Sequence, residues 1–262
     1  MAYDAAFVPR YARPFGEKLV ARMDAPTRAS VLDVACRTGY SAGRVLEALR
    51  EGRVFALDPD AKYLDVARAR LGTEVGRRVF LKQGTLTAQR FSDEFFTNVV
   101  CNLIDRVPGD RGALLVEARR VLRPGGQIAV SLPLRGSFEE PIDLLREVAL
   151  RYDLPGVGAE VERYARSFAS PESARAELER AGFMRVEVES WRFAMSYASG
   201  ADLFHDPAIQ HAAIEDWRRC AASLHDSELV FGRLRLAFDT YFQGRPFEVT
   251  VCGAAVTGVK PE

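Results

Sequence analysis

The chain has 262 residues, of which 48% are hydrophobic, and 36 basic side chains balance 36 acidic ones. This length can bury a substantial core within one α/β unit carrying an insertion, and the zero net charge supplies no global field toward nucleic acid or an anionic membrane. Stretches free of charge, such as Pro124–Leu134, reach only about 11 residues against the ~20 of a membrane-spanning helix, and the N-terminus shows no apolar core of signal-peptide type, which predicts a cytoplasmic protein.

Short apolar runs alternate with amphipathic segments through the first half, the pattern of a parallel sheet covered by helices. Ser30–Ala35 is a near-continuous apolar run, as expected of a strand buried on both faces, and passes through Thr38-Gly39 into a helix over Tyr40–Arg50. Arg53–Leu57 is the second strand, and Asp58-Pro59-Asp60 supplies a capping acid before a helix over Ala61–Leu71 that ends at Gly72. Val79–Gln83 and Thr97–Ile104 are the third and fourth strands, with a polar loop between them and a helix over Gly109–Leu122 after them. Arg123-Pro124-Gly125-Gly126 stops that helix and turns into a fifth strand, Gln127–Leu132. Helices are predicted over Glu139–Tyr152 and from Ser170-Pro171 to Gly182. Arg185–Tyr197 and Phe247–Lys260 form a final hairpin, interrupted by about 50 mainly helical residues that include Ile209–Leu224.

The order of these elements and the motifs at their ends resemble the class I S-adenosylmethionine-dependent methyltransferases. Val31-Leu32-Asp33-Val34 before Thr38-Gly39 is similar to that family's first-strand motif, Ala56-Leu57-Asp58 to its second-strand acid, and Val121–Gly126 to the turn before its fifth strand. The resemblance implies an α/β, Rossmann-like fold: a seven-stranded, mostly parallel sheet with helices on both faces and a helical cap insertion before the last strand. The whole chain, 1–262, then forms a single domain, with a cofactor-covering segment over 1–28 that includes Tyr11 and a cap insertion over 198–246.

Ligands of such open sheets bind at the carboxyl ends of the strands, where the winding direction switches. There Asp58 could accept hydrogen bonds from a ribose diol, or serve as a plain helix N-cap. Asp33 is costly inside an apolar strand unless paired; the resemblance puts it near the cofactor's amino group, and the alternative is a buried acid holding loop amides. The family's Gly-x-Gly-x-Gly loop reads Ala35-Cys36-Arg37-Thr38-Gly39 here, so only Gly39 remains. A positive-φ arginine costs about 1–3 kcal/mol, and Arg37 either obstructs the methionine end or pairs with its carboxylate. Thr85 stands where the family has an acid or amide beside adenine, Thr97-Asn98 replaces a common acid, and Asn102 matches a polar residue at the end of the fourth strand.

The expected cofactor-binding set is therefore Asp33, Ala35, Arg37, Gly39, Asp58, Thr85, Asn102 and Tyr11, with S-adenosylmethionine as the cofactor and a small molecule as methyl acceptor. The substitutions also motivate a second reading, an inactive methyltransferase-fold protein with a protein partner. A nucleic-acid partner is not expected, since no broad basic surface is implied. His205, His211 and His225 lack the i, i+4 spacing of a helical metal site, and no metal is expected. Cys36, Cys101, Cys220 and Cys252 lie far apart and read as reduced structural thiols. Trp191, Phe193, Tyr197, Phe204 and Trp217 suit either core packing or a pocket wall.

Overall fold

The computed structural model describes residues 3–221 and 227–262. Its seven strands are β1 (Arg28–Val34), β2 (Glu51–Asp58), β3 (Val79–Gln83), β4 (Phe96–Cys101), β5 (Leu122–Pro133), β6 (Met184–Tyr197) and β7 (Phe247–Val259). They lie in the order β3-β2-β1-β4-β5-β7-β6. The pairs β1·β2, β1·β4, β2·β3 and β4·β5 are parallel. β7 runs antiparallel to β5, because Gly125 and Gly126 bond to Lys260 while Leu134, past the other end of β5, donates to Cys252. The chain winds outward from β1 to β3 and then returns to β4 on the other side of β1, so the switch point lies between β1 and β4.

Two compact units divide the chain. One comprises Ala12–Leu132, Pro171–Ser190 and Ala254–Glu262. Its first strand carries the fully buried Val31 and Leu32 on opposite faces, which is why the run lacks the alternation of a half-exposed strand. Helix α1 (Arg13–Ala21) precedes it, and α2 (Tyr40–Ala48) and α3 (Ala61–Leu71) follow in the crossovers. Leu64, Ala67 and Leu71, at helical spacing on α3, join Ala42 and Val45 of α2 in one buried cluster with Val31, Ala56 and Val100. The Asp60 side chain caps α3 by accepting from the Lys62 amide at 2.8 Å, and Asp110 caps α4 (Arg111–Val121) from the Gly112 amide at 2.8 Å. The capping acid of α3 is thus Asp60, which leaves Asp58 for the loop beside it. Between β3 and β4 only a single 3₁₀ turn, Leu86–Ala88, forms.

The other unit comprises Met1–Tyr11, Pro133–Ser170 and Trp191–Gly253. It holds a π-type helical run, Tyr3–Ala12, whose last residue passes into the first unit, then α5 (Glu139–Arg151), α6 (Pro155–Ser167) and, between β6 and β7, α8 (Gly200–His205), α9 (Pro207–Ile209), α10 (Glu215–Ala221) and α11 (Ser227–Phe242); α7 (Pro171–Arg180) belongs to the first unit. Trp217, Phe138 and Phe238 are fully buried in its core, and Tyr197 nearly so, so packing claims Trp217 and Tyr197 of the five aromatic candidates. Asp206 accepts from Arg10 Nη1 at 2.6 Å, from the Tyr197 hydroxyl at 2.7 Å and from the Ala208 amide at 2.9 Å, tying the N-terminal run to the inserted helices.

Most element boundaries match the sequence reading within a few residues. The predicted helix over Ile209–Leu224 instead divides into a π-type run, Gln210–Ile214, and α10, and Leu224 and His225 lie outside the described residues. Helix α6 has no counterpart in the sequence reading: its first turn carries Gly156 and Gly158, poor helix formers, and its burial of Val157 and Val161 holds it in place. Among the described residues no helix is long and apolar enough to cross a membrane.

Gly39 starts α2 at φ +76°, and a Cβ there would stand 2.9 Å from the Ala67 Cβ of α3. Gly39→Ala should therefore lower unfolding stability by about 2 kcal/mol, from left-handed strain plus the clash. Denaturant titration checks this, and an unchanged midpoint would contradict the packing described.

Candidate functional site

The loop after β1 keeps the backbone of a glycine-rich turn while substituting its side chains. Ala35, Arg37 and Gly39 lie at φ +55°, +49° and +76°, so all three positions sit in the left-handed region. Only the last is glycine, and the other two each carry a strain of about 1–3 kcal/mol. Hydrogen bonds hold the shape: the Cys36 amide donates to the Leu57 carbonyl at 2.8 Å and the Gly39 amide to the Cys36 carbonyl at 2.9 Å.

Arg37 connects three strand ends. Its amide donates to Asp58 Oδ2 at 2.9 Å, past the end of β1 and at the end of β2. Its guanidinium, half-buried, donates from Nη1 to the Asn102 carbonyl at 2.9 Å and from Nη2 to the Leu103 carbonyl at 3.5 Å, just beyond β4. The second oxygen of Asp58 accepts from the Asp60 amide at 2.9 Å. The loop therefore closes over the switch point with a cation inside it.

Three carboxylates lie within electrostatic reach of that cation. Asp33 is fully buried, and its Oδ2 accepts from the Ser41 hydroxyl at 2.7 Å while Oδ1 has no hydrogen-bond partner. Burial pushes its pKa up to about 7, against the opposing pull of the Ser41 hydrogen bond and the Arg37 charge. Burial likewise raises Asp58, opposed by the amides of Asp60 and Arg37, and raises Asp105, opposed by Arg106 and Arg37. The Thr38 hydroxyl is buried without a partner as well. Cys36 and Cys101 are buried free thiols whose pKa desolvation pushes far up, which makes them inert rather than nucleophilic.

Beside this cluster lies a cavity of about 170 Å³ lined by Ala35, Pro59, Gly84, Thr85, Leu86 and Asp110 among others. That is room for one ring system, below the usual range of a whole ligand pocket. Thr85 sits at its edge, half-buried, with its hydroxyl 3.4 Å from that of Thr87. Asn102 turns its side chain away to structural work: Nδ2 donates to the Ala12 carbonyl at 3.1 Å and Oδ1 accepts from Ser131 at 2.7 Å. Thr97 exchanges hydrogen bonds with the Ser30 backbone, and Asn98 donates to the Asp24 carbonyl, so the polar pair at the start of β4 braces the sheet.

One unit thus brings together Asp33, Ala35, Arg37, Gly39, Asp58, Thr85 and Asn102. Tyr11 belongs to the other unit, fully buried and stacked on Phe138 with ring centroids 6.1 Å apart. His205 and His211 also lie there; His205 Nδ1 is 2.8 Å from the Ala201 carbonyl and His211 packs edge-on against Tyr3 and Phe7. Among the described residues no group of three or more metal-ligating side chains forms. The sequence reading missed Ser41 and Asp105. Ser41 could have been found from helix phase, since it opens the first turn of α2 behind Asp33; Asp105 carries no such signal.

A family model described as a methyltransferase domain matches residues 31–126, the stretch that holds seven of the eight candidate residues and both ends of the Arg37 contacts. A demethylmenaquinone methyltransferase of Lactococcus lactis is 27% identical over 183 residues, 66% of this chain and 72% of that one. A trans-aconitate 2-methyltransferase of Azoarcus is 32% identical over 130 residues, 49% of this chain and 48% of that one, so the match spans about half its length. Among solved structures, the YcgJ protein of Bacillus subtilis superposes with a TM-score of 0.61 at 16% identity, covering 95% of this chain and 99% of that one, a likeness of fold. Residues 31–126 thus match a methyltransferase domain, and the strand order over nearly the whole chain is shared with a solved structure of the same fold: the chain is similar to the class I S-adenosylmethionine-dependent methyltransferases.

Proposed function

We propose that the protein transfers a methyl group from S-adenosylmethionine to a small-molecule acceptor, and that Arg37 guards the donor site. The observation that carries the reading is the buried Asp33 Oδ1, which has no hydrogen-bond partner and lies within electrostatic reach of Arg37. A buried carboxylate oxygen with no donor is expensive, and a ligand ammonium relieves it. The residues fit the cofactor: the cavity at Thr85 and Leu86 takes a single ring system, Asp58 has lone pairs left for ribose hydroxyls, and Asp33 and the Thr38 hydroxyl await polar partners. The bound cofactor would supply an electrophilic methyl on a sulfonium. What the chain contributes is alignment, because an in-line displacement gains most from holding donor and nucleophile in register.

Arg37 fills the cation position in the cofactor-free chain, where two main-chain carbonyls receive its guanidinium. It would have to release Asn102 and Leu103 before a cationic ligand takes that place. The relatives named above act on demethylmenaquinone and trans-aconitate by their names, which supports a small acceptor. The same guanidinium favours one other reading, a fold that has given up the cofactor and binds a partner instead.

Calorimetric titration with S-adenosylmethionine and S-adenosylhomocysteine separates the two. Binding is expected in the parent chain and should tighten about tenfold in Arg37→Gly, the value of roughly 1.4 kcal/mol for charged hydrogen bonds no longer broken on binding. Loss of binding in Arg37→Gly would make the guanidinium a ligand of the cofactor carboxylate, and absence of heat in both chains would leave the partner-binding reading.

The acidity of Asp33 adds a pH dependence. Its proton is held more tightly in the folded chain than in the unfolded one, so its contribution to stability falls as pH rises from about 4 to 7. Affinity for the cationic cofactor should move the other way, rising from pH 5.5 toward pH 7 as the carboxylate ionises, below the range where the ligand's own amine titrates, about 7.7–8.0. Asp33→Asn should flatten both profiles, and profiles unchanged in that variant would remove Asp33 from the cation site.

A further inference from the structure

We infer a second ligand site, for an oligophosphate anion, at the amino ends of β1 and β2, the opposite end of the sheet from the cofactor loop. A cavity of about 620 Å³ opens there, lined by Arg28, Arg50, Arg53, Arg77 and Arg78 with Glu51 as its one acidic residue. Its volume lies in the usual range for small-ligand pockets. The strand register explains the gathering. Arg28 faces Glu51 and Ser30 faces Arg53 across the parallel β1·β2 pair, so side chains two apart on each strand project from one face. The single turn between β3 and β4 supplies no α-helix over the crossover. Phe55 and the partly exposed Phe95 line the same cavity and give it an apolar wall.

The charges there are poorly compensated. Arg28 pairs with Glu51 at 3.0 Å and Arg77 with Glu74 at 3.4 Å. Arg78 donates to the carbonyls of Gly52 and Leu49, both at 3.1 Å, which fixes its guanidinium without neutralising it. Arg50 and Arg53 have no hydrogen-bond or ion-pair partner among the described residues. Three of the five guanidinium groups at this cavity thus lack a carboxylate partner in a chain whose formal charge is zero, and like charges gathered in this way repel until an anion enters. Guanidinium forks suit phosphate oxygens in bidentate pairs. A chain of two or three phosphates could bridge several of them, whereas a single carboxylate could not. From Arg28 to Val34 the strand rises about 20 Å, so this ligand would not touch Arg37 or Asp58. The inference does not rest on methyl transfer.

Calorimetry with inorganic tripolyphosphate, ATP, adenosine and a single-stranded RNA oligomer, each with excess S-adenosylhomocysteine present, tests the site. Tripolyphosphate and ATP should bind saturably and adenosine should not. Arg50→Gln/Arg53→Gln, two exposed positions whose replacement leaves the core untouched, should weaken both ligands at least about tenfold, with the circular dichroism spectrum unchanged. Rising salt should also weaken them in the parent. ATP binding tighter than tripolyphosphate would indicate a nucleotide, and equal binding would indicate the phosphate chain alone; both support the site. Absence of saturable binding up to about 1 mM, equal binding by the double variant, or RNA binding far tighter than either small anion through the same arginines would overturn it.

Discussion

The arrangement at the carboxyl edge of the sheet depends on one positive charge among buried carboxylates. The buried Asp33 and Asp58 are each pushed toward the protonated form by desolvation, and Arg37 opposes that push at both; Asp105, half-buried, is paired with Arg106 at 3.0 Å and feels Arg37 only second. A carboxylate removed from water needs hydrogen bonds or a counter-charge to stay ionised. In this chain Arg37 supplies the counter-charge from a loop otherwise built for close approach of a ligand. The same residue satisfies carbonyls at the end of β4 and joins the ends of β1, β2 and β4, so its electrostatic and structural roles cannot be separated.

The framework behind it explains why the loop tolerates alanine and arginine at positive φ. Backbone hydrogen bonds from Cys36 and Gly39 and the carboxylate of Asp58 over-determine the turn, and strain persists where the surroundings impose it. Gly39 is the position that cannot change, since α2 and α3 meet there without room for a Cβ. The loop has therefore kept its glycine where packing demands one and lost glycines where only conformation does. Arg37, by contrast, adds chemistry. Its amide still serves Asp58, and its side chain fills space that a glycine would leave open.

The framework was legible because its signals are local. Apolar runs bounded by turns gave β1 to β5, Asp58-Pro59-Asp60 and Ser170-Pro171 announced helix starts, and Gly72 and Gly182 marked helix ends. The composition of the first loop also pointed to the site, as two missing glycines drew attention to Arg37. What remained hidden depends on side-chain direction and tertiary burial. Nothing in the order of residues says that the Arg37 guanidinium reaches the carbonyls of Asn102 and Leu103, that Asn102 spends its amide on Ala12 and Ser131, or that Asp105 is drawn into the cluster. Helix α6 was hidden for a related reason, since burial of Val157 and Val161 overrides glycines that predict no helix. The arginine cavity was invisible because Arg28, Arg50, Arg53 and Arg77-Arg78 come from separate segments, and only parallel register brings them together.

The central claim is that Arg37 holds the place of the cofactor's cationic end in the cofactor-free chain. A crystal structure of the protein soaked or grown with S-adenosylhomocysteine addresses it most directly. The account predicts the adenine ring in the cavity at Thr85 and Leu86, the ribose on Asp58, the ligand amine at Asp33, and the Arg37 guanidinium released from the Asn102 and Leu103 carbonyls. A complex in which Arg37 keeps both carbonyl contacts while the ligand sits in that cavity, or in which the ligand binds elsewhere, would contradict it.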